Sequence, residues 1–115
     1  MAPSPIKEKS LLFAIHIVQV YKELTKNKEY VISKQILRSG TSIGANVQEA
    51  SAAISRKDFI AKMAIASKEA RETQFWLNVL DHGRLIPFDY RDLHNEIDEL
   101  NKILTKIIKS SQQNS

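Results

Sequence analysis

Apolar residues recur along most of this chain at spacings of three and four, as they do on one face of an α-helix. Glycine and proline, which interrupt helices, are confined to Pro3, Pro5, Gly40, Gly44, Gly83 and Pro87. The pattern predicts helices over residues of about 5–26, 31–55, 57–82 and 89–109, with a frayed polar tail over residues 110–115. Short loops between four helices favour an all-α, antiparallel up-and-down four-helix bundle, built as a single domain over residues 1–115.

The first predicted helix is apolar around more of its circumference than one core requires. A helix that packs on one side needs a stripe of about 100°, whereas the apolar residues here cover roughly 220°. They are Leu11, Phe13, Ala14, Ile15, Ile17, Val18, Val20, Tyr21 and Leu24. We therefore expect this helix to pack against another subunit as well as against its own bundle.

The second and third predicted helices each carry a seam of small and apolar residues. In the second helix the seam comprises Leu37, Gly40, Gly44, Val47, Ser51 and Ile54. In the third it comprises Phe59, Met63, Ala66, Ala70, Thr73, Leu77 and Leu80. Each interior glycine costs roughly 1 kcal/mol relative to alanine, and close approach of a neighbouring helix is the natural compensation. We expect the small middle of the second helix to face the small middle of the third.

The last break and the fourth helix carry ordinary boundary signals. Gly83 is predicted to stop the third helix, and Asp89 is predicted to cap the fourth. The fourth helix should turn inward Tyr90, Leu93, Ile97, Leu100, Leu104 and Ile107.

Composition and charge exclude several classes of protein. The chain has no cysteine, which removes disulfides, thiolate nucleophiles and cysteine-bound zinc. No apolar run approaches the ~20 residues of a membrane span, and residues 1–9 do not lead into a signal peptide, so we expect a cytoplasmic protein without membrane contact. The net charge of +4 is concentrated in residues 1–84. It suits attraction to nucleic acid or to an acidic protein, and equally suits solubility alone.

Motifs that would carry catalysis or metal binding fail on their context. Residues 40–44 match the G-x-S-x-G nucleophile elbow, but the flanks are helical and the chain is too short for an α/β-hydrolase. A di-iron bundle needs Glu-x-x-His pairs, yet the residues three before the three histidines are Phe13, Val79 and Arg91. We therefore predict no catalytic residue, no metal site, no cofactor and no enzymatic activity.

Two further groups of polar residues remain. The first group could supply acid/base carboxylates but is better interpreted as a structural polar network, and it comprises Arg38, Ser42, Asn46, Glu49, Glu69 and Glu72. Trp76 is interpreted as a core or interface anchor.

The second group is the densest basic cluster, and its candidates for nucleic-acid binding are Lys57, Lys62, Lys68 and Arg71. No phosphate loop or stacking motif accompanies them, so from composition alone a solvated helix face is the slightly stronger interpretation.

Four runs of residues resemble the bacterial "four helix bundle protein" family. They are Gln35-x-x-Arg38, Thr41-Ser42-Ile43-Gly44-Ala45-Asn46-Val47-x-Glu49-Ala50, Arg56-Lys57-Asp58-Phe59 and Ile65-Ala66-x-Lys68-Glu69-Ala70-x-Glu72-Thr73-x-x-Trp76-Leu77. The family includes proteins encoded in intervening sequences of large-subunit ribosomal RNA genes and the accessory variability determinants of diversity-generating retroelements. Two departures are Gly44, where many members carry proline, and residues 47–50, where many read Ile-Ala-Glu-Gly.

The resemblance implies a bundle that assembles into a ring, a homopentamer in the retroelement branch. It also implies a basic surface that binds RNA or DNA, and a reverse transcriptase as protein partner in that branch. The resulting hypothesis is a non-enzymatic, oligomeric bundle that binds nucleic acid without sequence specificity. A protein-interaction scaffold without a nucleic-acid role is the alternative, and a small hydrolase that uses the carboxylates is a third.

Overall fold

Four helices account for nearly all of the computed structural model, which describes residues 5–113. They are α1 (Pro5–Lys26), α2 (Ile32–Ala50), α3 (Arg56–Gly83) and α4 (Arg91–Gln113). Both α1 and α3 pack against α2 and α4, so α1 and α3 stand at opposite corners of an up-and-down bundle. The predicted all-α four-helix bundle is confirmed, and the predicted ring stays a prediction.

Each helix contributes one buried face to a single core. The largest fully buried side chains include Phe13, Ile17, Leu24, Ile36, Ile43, Leu77, Leu80, Ile97, Leu100 and Leu104. Burial of each such side chain stabilises the fold by about 1.5–3 kcal/mol. The seam predicted for α3 is buried except for a half-buried Phe59, and that of α4 is buried except for a half-buried Ile107. Both inward faces are therefore confirmed.

α2 ends earlier than the predicted residue 55, so Ser51 and Ile54, the last two residues of its predicted seam, lie outside the helix. The helix stops at Ala50, and Ile54 is 95% exposed. The reason is the start of α3, where Ser55 takes an extended conformation and its hydroxyl accepts a 3.0 Å hydrogen bond from the Asp58 N–H. An N-cap residue has a non-helical backbone, so α2 cannot continue through Ser55 into α3. The buried face of α2 is instead formed by Ser33, Ile36, Ser39, Gly40, Ile43, Val47 and Ala50.

The two glycines of α2 approach α1 and not α3, contrary to the predicted pairing of small middles. A Cβ on Gly40 would lie 2.8 Å from Cγ1 of Ile17, and one on Gly44 would lie 3.3 Å from the carbonyl oxygen of Ser10. Because α2 packs between α1 and α3, different sides of the helix meet the two neighbours. The missing side chains therefore set the α1–α2 distance.

The ends of α3 and α4 also differ from the prediction. Gly83 is the last residue of α3, but the left-handed conformation that ends the helix belongs to Arg84, at φ 50°. α4 begins at Arg91 and continues through Gln113, so residues 110–113 of the predicted frayed tail are helical. Residues 114–115 of that tail, and residues 1–4 of the N-terminal segment, lie outside the described part of the chain.

The N-terminus of α2 is capped by a side chain from the preceding loop. Glu29 accepts hydrogen bonds from the backbone N–H groups of Val31, Ile32 and Ser33 at 3.2, 3.1 and 2.7 Å. Partial burial opposes the charge, but these backbone hydrogen bonds outweigh it and lower the pKa of Glu29 below its ordinary value of 4.5. The carboxylate thus satisfies donors that the first turn of a helix leaves free.

We expect Glu29→Gln to lower the free energy of unfolding by about 1 kcal/mol at neutral pH, the usual worth of a helix cap. A lowered folded-state pKa means that the contribution is present above pH 4.5 and is lost as pH falls through the folded pKa. Denaturant titrations at several pH values should therefore show the two proteins converging in acid. Glu23→Gln, an exposed carboxylate on α1, is the control. A difference that persists at low pH would contradict the capping role.

Candidate nucleic-acid interface

A cluster of charged side chains joins α2 to α3 near mid-height of the bundle. Arg38 donates a 2.9 Å hydrogen bond from Nη1 to Oε2 of Glu69 and a second from Nη2 to Oε2 of Glu72. The same Glu72 oxygen accepts a 3.1 Å hydrogen bond from Nε1 of Trp76. One guanidinium therefore bridges two carboxylates one helical turn apart, and the second carboxylate also orients the indole.

The electrostatics of the cluster favour its charged state. Hydrogen bonds from Trp76 and Arg38 lower the pKa of Glu72 against the opposing effect of burial, and the positive charge of Lys68 adds to this. Hydrogen bonds to Glu72 and Glu69 raise the pKa of the Arg38 guanidinium. The side chain of Glu69 is only 12% exposed, which makes Arg38 the partner on which its burial depends.

The remaining members of the predicted polar network do not join this cluster. Ser42 donates a 2.6 Å hydrogen bond to the Arg38 carbonyl, and Asn46 donates one of 2.8 Å to the Ser42 carbonyl, both within α2. Glu49 is exposed, and its carboxylate bonds to no residue within 5–113. The prediction that these three connect with Arg38, Glu69 and Glu72 is therefore wrong, because Ser42 and Asn46 bond to carbonyls of their own helix and Glu49 is exposed.

A second cross-link between α2 and α3 was missed by the sequence analysis. The hydroxyls of Thr73 and Ser39 share a 2.9 Å hydrogen bond, the Thr73 hydroxyl also bonds the Glu69 carbonyl at 2.8 Å, and both side chains are fully buried. Thr73 stood in the predicted seam of α3, but Ser39 lay outside the predicted seam of α2. Two small polar residues at facing core positions would have been the signal.

Three of the four predicted basic candidates line one exposed face of α3. Eight residues spaced alternately by four and three, all exposed, form this face, which we call the cationic stripe: Lys57, Ala61, Ala64, Lys68, Arg71, Phe75, Asn78 and His82. At 1.5 Å per residue the stripe is about 38 Å long. None of its eight positions is acidic, and no ion pair within residues 5–113 occupies Lys57, Lys68 or Arg71.

Lys62 is the exception among the candidates. It follows Lys57 by five residues, which turns it by about 140° around the helix, and it is half-buried beside the core. The structure therefore does not bring Lys62 together with the other three.

Three carboxylates near the cationic stripe have hydrogen-bond partners outside it. Glu72 bonds to Arg38 and Trp76, Asp98 accepts a 2.9 Å hydrogen bond from Gln74, and Asp81 pairs with His94 at 2.9 Å. Of these charges, that of Glu72 is bonded to Arg38 and also acts on Lys68 through space, so the stripe presents exposed cations that form no ion pair within residues 5–113. Such a surface attracts phosphate groups or an acidic protein.

An aromatic side chain lies at the centre of the exposed surface of α3. The ring of Phe75 is 57% exposed, although phenylalanine is usually buried. Its centroid lies 5.1 Å from that of Trp76, with an angle of 70° between the two ring planes. Trp76 is itself half-buried against the core and held by Glu72, which fits the anchor interpretation. The Phe75 ring therefore contacts Trp76 and keeps more than half of its surface open to solvent.

The outer face of α1 is apolar, as the wide predicted arc indicated. Leu11, Leu12, Ile15 and Val18 are 62%, 51%, 48% and 36% exposed, and together they form what we call the apolar strip. The strip lies on the side of α1 opposite its buried residues, which are Ile6, Ser10, Phe13, Ile17, Val20 and Leu24. Within residues 5–113 this strip is therefore left without a packing partner.

The sequence around Gly40 and Gly44 does not form a nucleophile elbow. Ser42 lies inside α2, with its hydroxyl bonded to the carbonyl of Arg38 in the same helix. Among the described residues, no three histidine, aspartate or glutamate side chains converge into a group that could hold a metal ion. None of the helices within residues 5–113 is long and apolar enough to span a membrane.

Comparison with known proteins agrees with this architecture. The family model described as "23S rRNA-intervening sequence protein" matches residues 4–106. A solved structure, of a protein with unknown function from the S23 ribosomal protein family of Bacteroides thetaiotaomicron VPI-5482, has a TM-score of 0.86 and 54% sequence identity. The match covers 90% of this chain and 98% of that one. No protein with a curated description matches significantly. The chain therefore belongs to the 23S rRNA-intervening sequence protein family.

Proposed function

We propose that this protein is a non-enzymatic, self-assembling bundle that binds nucleic acid through the cationic stripe of α3. The observation that carries the proposal is the stripe itself, since it places Lys57, Lys68 and Arg71 on one exposed face without an acidic residue. A surface of this kind binds phosphates by charge and carries no sequence information. The family description refers to 23S rRNA, which makes RNA the first probe to use.

Assembly and nucleic-acid binding use different sides of the molecule in this proposal. The apolar strip is on α1 and the cationic stripe is on α3, and these helices stand at opposite corners of the bundle. A contact between copies through α1 leaves α3 open. Each added copy then adds one stripe, and linked weak sites bind with higher overall affinity than single ones. The resemblance to retroelement proteins suggests five copies, and a ring requires a second contact surface on each copy.

We expect Ile15→Glu to dissociate the assembly, because a charge at the centre of the apolar strip would have to be buried against the neighbouring copy. Light scattering at micromolar concentration should give an oligomer for the wild type and a monomer for the variant. Val31→Glu, which replaces a 72% exposed residue in the loop between α1 and α2, is the matched control and should remain oligomeric. A monomeric mass for the wild type would refute the assembly.

We expect the wild type to bind single-stranded RNA and DNA of about twelve nucleotides with strong salt dependence. Replacement of Lys57, Lys68 and Arg71 by alanine should weaken binding at ~50 mM salt by about tenfold or more. If each cation neutralises one phosphate of a single strand, the log–log salt slope should become shallower by about 2. Fluorescence anisotropy at several salt concentrations measures both quantities.

The matched control removes three exposed lysines from α4, which are Lys102, Lys106 and Lys109. Both triple variants lose three positive charges, so each changes the net charge from +4 to +1. Equal loss of affinity in the two variants would mean that net charge, and not the stripe, drives binding. If the wild type binds neither the RNA nor the DNA probe, the proposal is wrong.

A protein-interaction scaffold is the second candidate, and the apolar strip is the observation that favours it. Four exposed apolar side chains on one helix face are typical of a protein contact site. A protein partner, such as the reverse transcriptase that the resemblance implies, could occupy the strip in place of another copy. This candidate would be favoured if the wild type bound no nucleic acid and the apolar strip bound a different protein instead of a second copy of the chain.

A further inference from the structure

We infer that Phe75 is a stacking platform for an unpaired base, so that the cationic stripe prefers single-stranded nucleic acid over duplex. The inference rests on the proposed nucleic-acid binding and adds the ligand class and the residue that selects it. It starts from the position of Phe75, which follows Arg71 by four residues and Lys68 by seven on the same exposed face of α3. Residues at these spacings are neighbours along a helix surface.

The geometry of Phe75 suits stacking. Its ring is 57% exposed, and within residues 5–113 its ring contact is with Trp76, at 5.1 Å and 70°. Trp76 is in turn held by its hydrogen bond to Glu72, which bonds to Arg38. The contact with Trp76 therefore restricts the ring while most of its surface stays accessible. Bases stack on such aromatic rings irrespective of sequence, because every base has a π-face.

Charge favours a nucleic acid over the same face of a second copy as the occupant of this face. The positions next to Phe75 along the stripe are Arg71 and Asn78, and Lys68 lies one turn further. In a contact between two such faces, unpaired cations would meet or be buried without a partner, which is unfavourable. Phosphates on either side of a stacked base would pair with them. A duplex offers the phosphates but keeps its bases stacked inside, so it cannot use the ring.

The experiment compares Phe75→Ala, Phe75→Leu and Phe75→Tyr in the full chain. The probes are oligodeoxyadenylate of about twelve nucleotides and a DNA duplex of the same length. Loss of the aromatic ring in the first two variants should weaken single-strand binding by about tenfold and leave duplex binding unchanged. Phe75→Tyr should bind like the wild type. Ile65→Ala, which shortens another exposed apolar side chain of α3, is the control and should also bind like the wild type.

The chain provides its own reporter, since Trp76 is its single tryptophan and touches Phe75. Oligodeoxyadenylate should quench Trp76 fluorescence in the wild type and not in Phe75→Leu. Unchanged single-strand affinity in Phe75→Ala overturns the inference while the proposed function stands, whereas no binding of either probe by the wild type overturns both. A changed mass of Phe75→Ala in light scattering would make Phe75 a subunit contact and overturn the inference as well.

Discussion

Gly40→Ala is expected to lower the free energy of unfolding by up to about 2 kcal/mol, although alanine is the better helix former. The added Cβ would lie 2.8 and 2.9 Å from Cγ1 and Cγ2 of Ile17, which is fully buried. Both atoms branch from the Ile17 Cβ and cannot swing away, so α1 and α2 must separate. Overpacking of this kind costs about 1–3 kcal/mol, against a gain of roughly 1 kcal/mol in helix propensity.

The other glycines provide graded controls, with thermal or denaturant unfolding as the measurement. A Cβ on Gly44 would lie 3.3 Å from the Ser10 carbonyl oxygen, so a smaller effect is expected there. A Cβ on Gly83 would have no neighbour within 4 Å, and Gly83→Ala should be neutral or stabilising. Combining Gly40→Ala with Ile17→Ala should give less than the sum of the two losses, because the new methyl group fills part of the cavity. Additive losses would argue against the contact.

Arg38→Ala is expected to lower the free energy of unfolding by about 1–3 kcal/mol. Its removal leaves the Glu69 carboxylate, which is 12% exposed, without its charged partner, and an unsatisfied buried group has a cost of this size. Glu72 is more exposed and keeps the hydrogen bond from Trp76. The loss should therefore come mainly from Glu69, and a second substitution, Glu69→Gln, should recover part of it.

Arg91→Ala is the matched control for this prediction. Arg91 also pairs with a carboxylate, that of Asp89, but the two side chains are 86% and 60% exposed. Solvent screens exposed pairs of this kind, so little change in stability is expected. Wild-type stability of Arg38→Ala together with a loss of nucleic-acid binding would show that Arg38 acts in binding and not in the fold.

Predictions of which face of a helix is buried succeeded where large apolar residues define that face, and predictions of which helix a face meets failed. The inward faces of α3 and α4 were predicted well, since the large apolar residues Leu77, Leu80, Ile97 and Leu100 define them unambiguously. The face of α2 was predicted poorly, because it is rich in glycine, serine and alanine. Small residues mark close packing but not its direction, and periodicity alone cannot say which neighbour a glycine meets.

The polar residues show the same division. Arg38, Glu69 and Glu72 were grouped from the sequence, and they do form a cluster, since arginine and glutamate side chains reach across the α2–α3 boundary. Ser42 and Asn46 were grouped with them but bond to carbonyls of their own helix. Short polar side chains commonly bond to a backbone carbonyl of their own helix, because a partner on the neighbouring helix is out of their reach.

The sequence by itself determined the fold class, the number of helices and the excess of apolar surface on α1, because these follow from residue spacing within single segments. Only the tertiary structure decided which helices are neighbours, that Gly40 meets Ile17, and that Lys62 is half-buried whereas Lys57, Lys68 and Arg71 are exposed. The exposure of Phe75 belongs to this second group as well. These properties depend on how each helix is rotated about its axis, and that rotation is set jointly by all the contacts of the core.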